Sequence, residues 1–204
     1  YELAFRMQTE APELFDLSNE PQSVLDMYGV DQRETDAVAR MCLMARRFAE
    51  AGVCFIQVNH TGWDHHGGID RSIPRTSRSM DQPTAALLQD LKQRGMFEDT
   101  LVLSAGEFGR TPRISRLRPD AAVGRDHWAW AYSALFVGAG VRGGQLIGAT
   151  DRHGKYTITP PFHPNDLGAT VYHSLGIDPA STVHDRQGRP LPLNRGTVMS
   201  ELFS

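Results

Sequence analysis

The sequence predicts an α/β fold, a three-layer sandwich with a largely parallel central sheet. Short apolar runs rich in β-branched residues alternate with longer stretches in which apolar residues recur at helical spacing. Two long polar segments directly follow two of the predicted strands, the position at which open α/β sheets bind ligands. The chain has 204 residues, a length that suits a single α/β domain spanning residues 1–204.

The first predicted helix and strand lead into the first polar segment. Residues 34–51 carry apolar side chains at helical spacing, and Gly52 is placed to end this helix. Residues 53–58 (V-C-F-I-Q-V) are typical of a buried strand. Residues 59–80 are polar and rich in glycine, and long loops of this kind are commonly functional. The apolar positions of the helix are Ala37, Met41, Met44, Ala45 and Phe48.

A second helix is predicted over residues 81–95. Asp81 is placed to cap this helix, and Pro83 fits its first turn. Its inward-facing residues are Leu87, Leu88 and Leu91.

The rest of the chain repeats the alternation of strand and helix. Residues 100–105 (T-L-V-L-S-A) and 133–137 are predicted strands, separated by a second long polar loop at 106–132. Residues 165–175 are predicted to form a helix. The candidate caps of this helix are Asn165 and Asp166.

Composition and charge exclude two classes of partner. Hydrophobic residues make up 40% of the chain and the net charge is −3, so no global positive field recruits nucleic acid. No segment approaches the roughly 18 apolar residues that a membrane span needs. The chain begins at Tyr1 within a helix-like stretch, residues 1–7, and we expect it to be the carboxy-terminal part of a longer protein. Cys42 and Cys54 lie in apolar contexts and are expected to be small buried side chains.

The first polar segment concentrates residues that bind metals. Residues 59–68 read N-H-T-G-W-D-H-H-G-G. Asp64, His65 and His66 offer a carboxylate and two imidazoles, which suit zinc, or manganese or iron with further carboxylates. Adjacent side chains of an extended chain point in opposite directions, so we expect His66, two residues from Asp64, to bind. The alternative is a turn in which these side chains only cap backbone groups.

The second polar segment supplies further candidate ligands. Glu107, in G-E-F-G-R-T-P, directly follows a predicted strand and is placed to bind metal or to act as a base. Asp126 and His127 form a second Asp-His pair in G-R-D-H-W, and Trp128 and Trp130 could form a wall of the site. The alternatives are a helix-capping or arginine-paired glutamate and a surface turn.

Both polar segments also contain several arginines. The guanidinium group binds the oxygens of phosphate or sulfate in two-point fashion. Arg110 and Arg125 lie near candidate ligands, and we expect them to bind an anionic ester. The other arginines are expected to be solvated, and they are Arg71, Arg75, Arg78, Arg113, Arg116 and Arg118.

Six motifs, in their order along the chain, resemble one bacterial family. They read G-W-D-H-H-G, T-L-V-L-S-A-G-E-F-G-R-T-P, G-R-D-H-W, V-G-A-G-V-R-G-G, D-L-G-A-T-V-Y-H-S-L-G-I-D and Q-G-R-P. Over nearly its whole length the chain resembles the domain of unknown function 1501 family, often labelled sulfatase-like. That family is similar to the alkaline phosphatase superfamily of metal-dependent phosphatases and sulfatases.

The resemblance implies an alkaline phosphatase-like fold and a bound divalent metal ion. Zinc is the first candidate, with manganese, iron or calcium as alternatives. By this likeness Glu107 stands where the superfamily's aspartate binds metal. Asp64 and His66 stand near its Asp-x-x-x-His pair, and His127 stands near its late histidine. The resemblance also implies an exported or periplasmic parent protein.

The sequence departs from the superfamily pattern at several places. Phe108 occupies the position of the expected second-site histidine, and the early nucleophile and the C-x-P-S-R motif are missing. The spacing from Asp64 to His66 is shorter than in the superfamily, so Asn59 or His60 are alternatives to Asp64. The expected site therefore matches the superfamily only in part.

Together these residues predict a metal-dependent hydrolase of phosphate or sulfate esters. Asp64, His66 and His127 are expected to hold one ion, with Asp126 as a further candidate ligand, and Glu107 to hold or tune a second. The expected substrate is an anionic small-molecule ester or a sulfated or phosphorylated glycan. The alternative is a catalytically inactive relative that acts as an exported binding or scaffold protein, which the departure at position 108 favours.

Overall fold

The computed structural model describes residues 12–116 and 118–204 of the chain. These residues form helices and short strands, in agreement with a mixed α/β class, and fall into two compact units. The first unit contains the described residues up to Phe97 together with Ser115–Gly124. The second unit contains Glu98–Ile114 and Arg125–Ser204. The helix-like residues 1–7 of the sequence lie outside the described part.

Three helices build the core of the first unit. They are α1 (Gln22–Tyr28), α2 (Asp36–Glu50) and α3 (Ile69–Gln93), and each packs on the other two. The burial of their apolar side chains supplies most of the driving force for this packing. The core residues are Tyr28, Val30, Val38, Ala39, Cys42, Leu43 and Ala86.

Helix α2 confirms the helix predicted over residues 34–51, and its buried face is shifted slightly from the predicted apolar positions. Val38, Cys42 and Ala45 are buried, together with Arg46, whereas Ala37 is exposed. The buried stripe lies about one residue further along the chain than the predicted one. An apolar pattern could not reveal this face because a charged residue, Arg46, belongs to it.

Helix α3 corrects the prediction of a loop over residues 59–80. The helix begins at Ile69, so Asp81 lies within it and does not cap it. Pro74 and Pro83 both lie inside the helix, although an internal proline removes one backbone hydrogen bond and costs about 3 kcal/mol. Burial of one face, including Pro83, Ala86 and Leu91, outweighs this local preference.

A buried network of charges joins the helices of the first unit. The guanidinium of Arg46 contacts the carboxylates of Glu20 at 2.6 Å, Glu50 at 2.7 Å and Asp90 at 3.0 Å. The side chains of Arg46, Glu20 and Asp90 are almost fully buried. A buried charge is tolerated only when it is paired in this way.

Further polar groups complete the network. Asp90 accepts hydrogen bonds from the Tyr28 hydroxyl at 3.0 Å and from Arg94 at 2.7 Å. Arg47 donates to Glu20 at 2.6 Å. Burial opposes ionisation of Glu20, but the hydrogen bonds from Arg47 and Arg46 prevail and hold the pKa of its carboxyl below the usual range. Glu20 and Asp90 therefore each have several partners.

The strands of the second unit form short antiparallel pairs. Strand β1 (Val102–Ser104) pairs with β4 (Leu135–Val137), which confirms both predicted strands over shorter lengths. The other pairs are β2 (Gly109–Arg110) with β3 (His127–Trp128), and β5 (Thr182–His184) with β6 (Pro190–Pro192). Residues 106–132 were predicted as a loop, and β2 and β3 lie within them. No parallel pair occurs in residues 12–116 and 118–204.

The prediction of a strand at residues 53–58 is wrong, because this segment pairs with no other segment in the described part of the chain. A strand requires a hydrogen-bonded neighbour, and an apolar run in the sequence cannot show whether one is present. Phe55 is 67% exposed. Cys54 is also exposed, so only Cys42 meets the expectation of a buried cysteine, and burial raises the pKa of its thiol to about 11.

The helix predicted at residues 165–175 is confirmed as α4 (Pro164–Ser174), although its cap differs. His163 precedes the helix, and its backbone N–H donates to the carboxylate of Asp166 at 2.7 Å. Pro164 occupies the first turn, where its missing N–H costs nothing. No helix in the described part of the chain is long and apolar enough to cross a membrane.

Candidate functional site

The turn before α3 brings two of the predicted metal ligands together. The backbone N–H of His65 donates to the carbonyl of Trp63 at 3.0 Å, and that of His66 to the carbonyl of Asp64 at 3.1 Å. These tight turns leave Asp64 Oδ1 3.0 Å from His66 Nε2. The Asp64 side chain is exposed and that of His66 is half-buried, so solvent reaches the pair.

His65 has a different environment from its neighbour, as expected for adjacent residues. It is buried, and its Nε2 lies 3.3 Å from the hydroxyl of Thr76. The Thr76 hydroxyl donates its own proton to the carbonyl of Ser72, so Nε2 of His65 carries the proton and donates to Thr76. His65 therefore anchors the turn to α3, whereas His66 faces Asp64.

His60, an alternative ligand in the sequence, is already fully hydrogen-bonded. Trp63 Nε1 donates to its Nδ1 at 3.0 Å. Its Nε2 lies 3.1 Å from the Ser79 hydroxyl, which donates its proton to the carbonyl of Thr76. Both contacts fit the neutral ring protonated at Nε2, and burial lowers the pKa of His60. With both nitrogens occupied, His60 holds the turn and is a poor metal ligand.

Gly124 packs directly against the backbone of the proposed metal-binding turn. It forms an antiparallel bridge with Ser115, and the neighbouring carbonyl of Val123 accepts a hydrogen bond from Ile69. A Cβ atom at Gly124 would overlap the carbonyl group of His66. Only glycine allows this close approach of two backbones.

We predict that Gly124→Ala displaces the turn and lowers the free energy of unfolding by about 1–3 kcal/mol, because the added methyl group must push one backbone away. Urea unfolding followed by circular dichroism measures this loss. Gly143→Ala is the matched control, because a Cβ atom there meets nothing within 4 Å. Equal stability of the two variants would contradict the packing described for Gly124.

The β2–β3 pair of the second unit holds the other predicted site residues. Arg110 lies opposite His127 in the register of this pair. The guanidinium of Arg110 contacts Glu107 Oε1 at 3.0 Å, and the ring of Phe108 packs on His127 with centroids 4.4 Å apart. Glu107 is exposed and arginine-paired, an arrangement that the sequence left open as an alternative.

Arg125 stabilises the backbone of the β2–β3 pair through hydrogen bonds. Its Nε and Nη2 donate to the carbonyls of Thr111 and Arg110. The backbone of Asp126 exchanges hydrogen bonds with Thr111, whose hydroxyl accepts from the Asp126 N–H at 3.0 Å. Two of the Arg125 donors are therefore committed to the protein, and its role in binding an anionic ester stays a prediction.

The two tryptophans that follow His127 form a separate aromatic cluster. Trp128 Nε1 donates to the carbonyl of Lys155 at 2.6 Å. Trp128 and Trp130 contact the ring of Tyr156, with centroids 5.6 and 6.1 Å away. Both tryptophan rings thus contact Tyr156, and their role as a wall of the metal site stays a prediction.

The structure thus gathers the predicted site residues in two sets. Asp64 and His66 meet in the first unit, and Glu107, Arg110 and His127 belong to the β2–β3 ribbon of the second. Asp64, His66 and His127 each offer a ligand atom suited to a metal ion. The hydrogen bonds of His65 to Thr76 and of His60 to Ser79 could not be predicted, because both partners lie in residues predicted to be a loop.

Comparison with models of known protein families gives a match over nearly the whole chain. No curated protein and no solved structure matches the chain. A family model described as "Protein of unknown function (DUF1501)" matches residues 1–203, nearly the whole sequence. This match confirms the family to which the six ordered motifs pointed. The chain belongs to the DUF1501 family of proteins of unknown function.

Proposed function

We propose that this protein is a metal-dependent hydrolase of phosphate or sulfate esters. The observation that carries the proposal is the meeting of Asp64 Oδ1 and His66 Nε2 at 3.0 Å in a solvent-accessible turn. A carboxylate oxygen and an imidazole nitrogen form part of many catalytic zinc sites. Zinc is the first candidate, and manganese, iron and calcium are the alternatives.

The distance between the two atoms fits a shared ion. With bonds of about 2.0–2.2 Å to zinc, two ligands of a tetrahedral site lie roughly 3.3 Å apart. The separation of 3.0 Å between Asp64 Oδ1 and His66 Nε2 is close to this value. Both groups could therefore bind one ion after only a small shift.

The remaining ligands are proposed from the second polar segment. His127 offers an imidazole and Asp126 a carboxylate, and Glu107 is the proposed ligand of a second ion. The family resemblance supports the inclusion of His127, which stands near the late histidine of the superfamily.

Each side chain has a defined part in the proposed reaction. Asp64 and His66 would hold a divalent ion, which would supply Lewis acidity toward the ester oxygen when bound. His65 and His60 fix the turn that carries these two residues. Arg110 offers positive charge to the anionic ester, with Glu107 orienting its guanidinium at 3.0 Å. Arg125 supports the carbonyl of Arg110 and is the second candidate for binding the ester.

Beyond the mixed α/β class, we propose a more specific fold: a three-layer, alkaline phosphatase-like sandwich with a largely parallel sheet. The resemblance of the six ordered motifs to a family that is similar to the alkaline phosphatase superfamily supports this proposal. An exported or periplasmic parent protein is part of the same proposal, through the family resemblance.

Ester hydrolysis tests the proposed function. The purified chain, loaded with zinc or manganese, is incubated with 4-nitrophenyl phosphate and 4-nitrophenyl sulfate. We expect turnover of one of them that requires the metal and falls at least about tenfold in Asp64→Ala. Asp70→Ala, an exposed carboxylate at the start of α3, is the matched control. A metal-loaded protein that hydrolyses neither ester would overturn the proposal.

One observation favours a second candidate function, that of a catalytically inactive relative with a binding or scaffold role. Phe108, at the position of the expected second-site histidine, packs its ring on His127 at 4.4 Å. An aromatic ring there cannot supply the missing ligand. Metal binding without hydrolysis of either ester is the result that this second candidate predicts.

A further inference from the structure

A cavity in the first unit lies beside the turn that carries Asp64 and His66. Its volume is about 540 Å³, within the range of small-molecule binding sites. Thr76 lines it and also accepts the hydrogen bond from His65, so the cavity wall and the turn share a residue. The polar residues of the lining include Arg33, Glu34, His60, Arg75, Thr76 and Ser79.

The residues of the back wall of this cavity are hydrogen-bonded to one another or to helix α3, and they carry no net charge. The Ser79 and Thr76 hydroxyls each donate to a helix carbonyl, of Thr76 and Ser72 respectively, at 2.8 Å. His60 is held between Trp63 and Ser79 in a state that leaves its ring neutral. The charges of the cavity therefore come from two arginines, Arg33 and Arg75, and from Glu34.

The two arginines are available to a ligand. Both are exposed, and within residues 12–116 and 118–204 neither makes an ion pair or a side-chain hydrogen bond. With Glu34 the cavity carries an excess of one positive charge, although the whole chain has a net charge of −3. The positive charge is thus local to this cavity.

Helix α3 adds to the positive charge around the cavity. Arg71, Arg75 and Arg78 are spaced by four and three residues and lie on one exposed face of the helix. Like charges at this spacing destabilise a helix, and within the described residues no carboxylate pairs with any of the three. Of the three, Arg75 alone lines the cavity, and an anion bound there would offset its repulsion with its two neighbours.

We infer that this cavity binds a tetrahedral oxyanion, a phosphate or sulfate group, between Arg33 and Arg75. Two guanidinium groups offer paired donors to the oxygens of such an anion. As an account of how the ester substrate is held, the inference rests on the proposed function. The cavity supplies arginines without protein partners, whereas Arg110 pairs with Glu107 and Arg125 with backbone carbonyls.

Calorimetric titration of the full chain tests the inference. Inorganic phosphate and sodium sulfate are titrated separately at low ionic strength, with a chelator present to remove metal. We expect saturable binding of at least one anion, weakened at least about tenfold in Arg75→Ala and in Arg33→Ala. The anion that binds with higher affinity indicates whether the substrate is a phosphate ester or a sulfate ester. Because no metal or hydrolysis is involved, this result is separable from a failure of the proposed function.

Arg78→Ala is the matched control, because it removes the same charge from the same helix face outside the cavity lining. Its affinity should stay within about twofold of the unmodified chain, and Arg75→Lys should bind with intermediate affinity, because lysine retains the charge without the fork. Circular dichroism establishes that each variant is folded. Equal losses in Arg75→Ala and Arg78→Ala, or the absence of saturable binding, would overturn the inference.

Discussion

Replacing Arg46 with alanine is expected to lower the free energy of unfolding by about 3–5 kcal/mol, the usual cost of removing one partner of a buried ion pair. Arg46 contacts Glu20, Glu50 and Asp90, and its side chain is 3% exposed. Its removal leaves the buried carboxylates of Glu20 and Asp90 without their shared cation. Urea unfolding followed by circular dichroism measures the loss.

Arg40→Ala is the control for Arg46, since it removes an arginine from the same helix. The Arg40 side chain is 41% exposed and pairs with Asp31 and Asp36 at the surface. Exposed pairs of this kind contribute at most about 1 kcal/mol. Similar losses in Arg40→Ala and Arg46→Ala would contradict a larger contribution of the buried network to stability.

The same network makes stability depend on pH. The pKa of Glu20 is lower in the folded protein than in the unfolded chain, because Arg47 and Arg46 stabilise its charge. Its contribution is therefore fully present above the ordinary glutamate pKa of about 4.3, and it is lost as the pH falls through the lower folded value. In Arg46→Ala this acid-dependent part of the unfolding free energy should shrink.

His66→Ala is expected to weaken zinc binding by at least about 100-fold, while His65→Ala changes it only a few-fold. His66 Nε2 faces Asp64 Oδ1 at 3.0 Å, so it is a proposed ligand, and even groups that hydrogen-bond directly to a ligand contribute about 10–100-fold to affinity. His65 is buried against Thr76, so its loss should instead lower stability by about 1–2 kcal/mol.

Competition with a chromogenic zinc chelator measures the affinity of each histidine variant, and urea unfolding measures its stability. The two substitutions remove the same side chain from adjacent positions, so each serves as the control for the other. A larger loss of zinc affinity in His65→Ala than in His66→Ala would contradict the division of roles between these residues.

Helices were predictable from the sequence where local pattern and packing agree. The periodicity of residues 34–51 predicts α2 (Asp36–Glu50) because its apolar face packs in the core. The first half of α3 was not predictable, since Pro74 and the glycines before Ile69 indicate a loop. Residues 53–58 show the reverse case, because an apolar run predicts a strand but contains no information about its partner.

The candidate site was predictable in its residue types but not in its contacts. Alternation of adjacent side chains assigned different directions to His65 and His66, and the structure gives them different partners. The bonds from Arg125 to backbone carbonyls leave no trace in a sequence, because any residue can supply a carbonyl. The sequence also does not distinguish the guanidinium groups of Arg33 and Arg75, which line the cavity, from solvated ones.

The metal content of the purified chain tests directly whether Asp64 and His66 form a metal site. Inductively coupled plasma mass spectrometry would compare the unmodified chain with an Asp64→Ala/His66→Ala variant, both after dialysis against zinc, manganese, iron or calcium. We expect near-stoichiometric metal in the unmodified chain and its loss in the variant. No bound metal with any of these ions, or equal metal in both proteins, would contradict a metal site at Asp64 and His66.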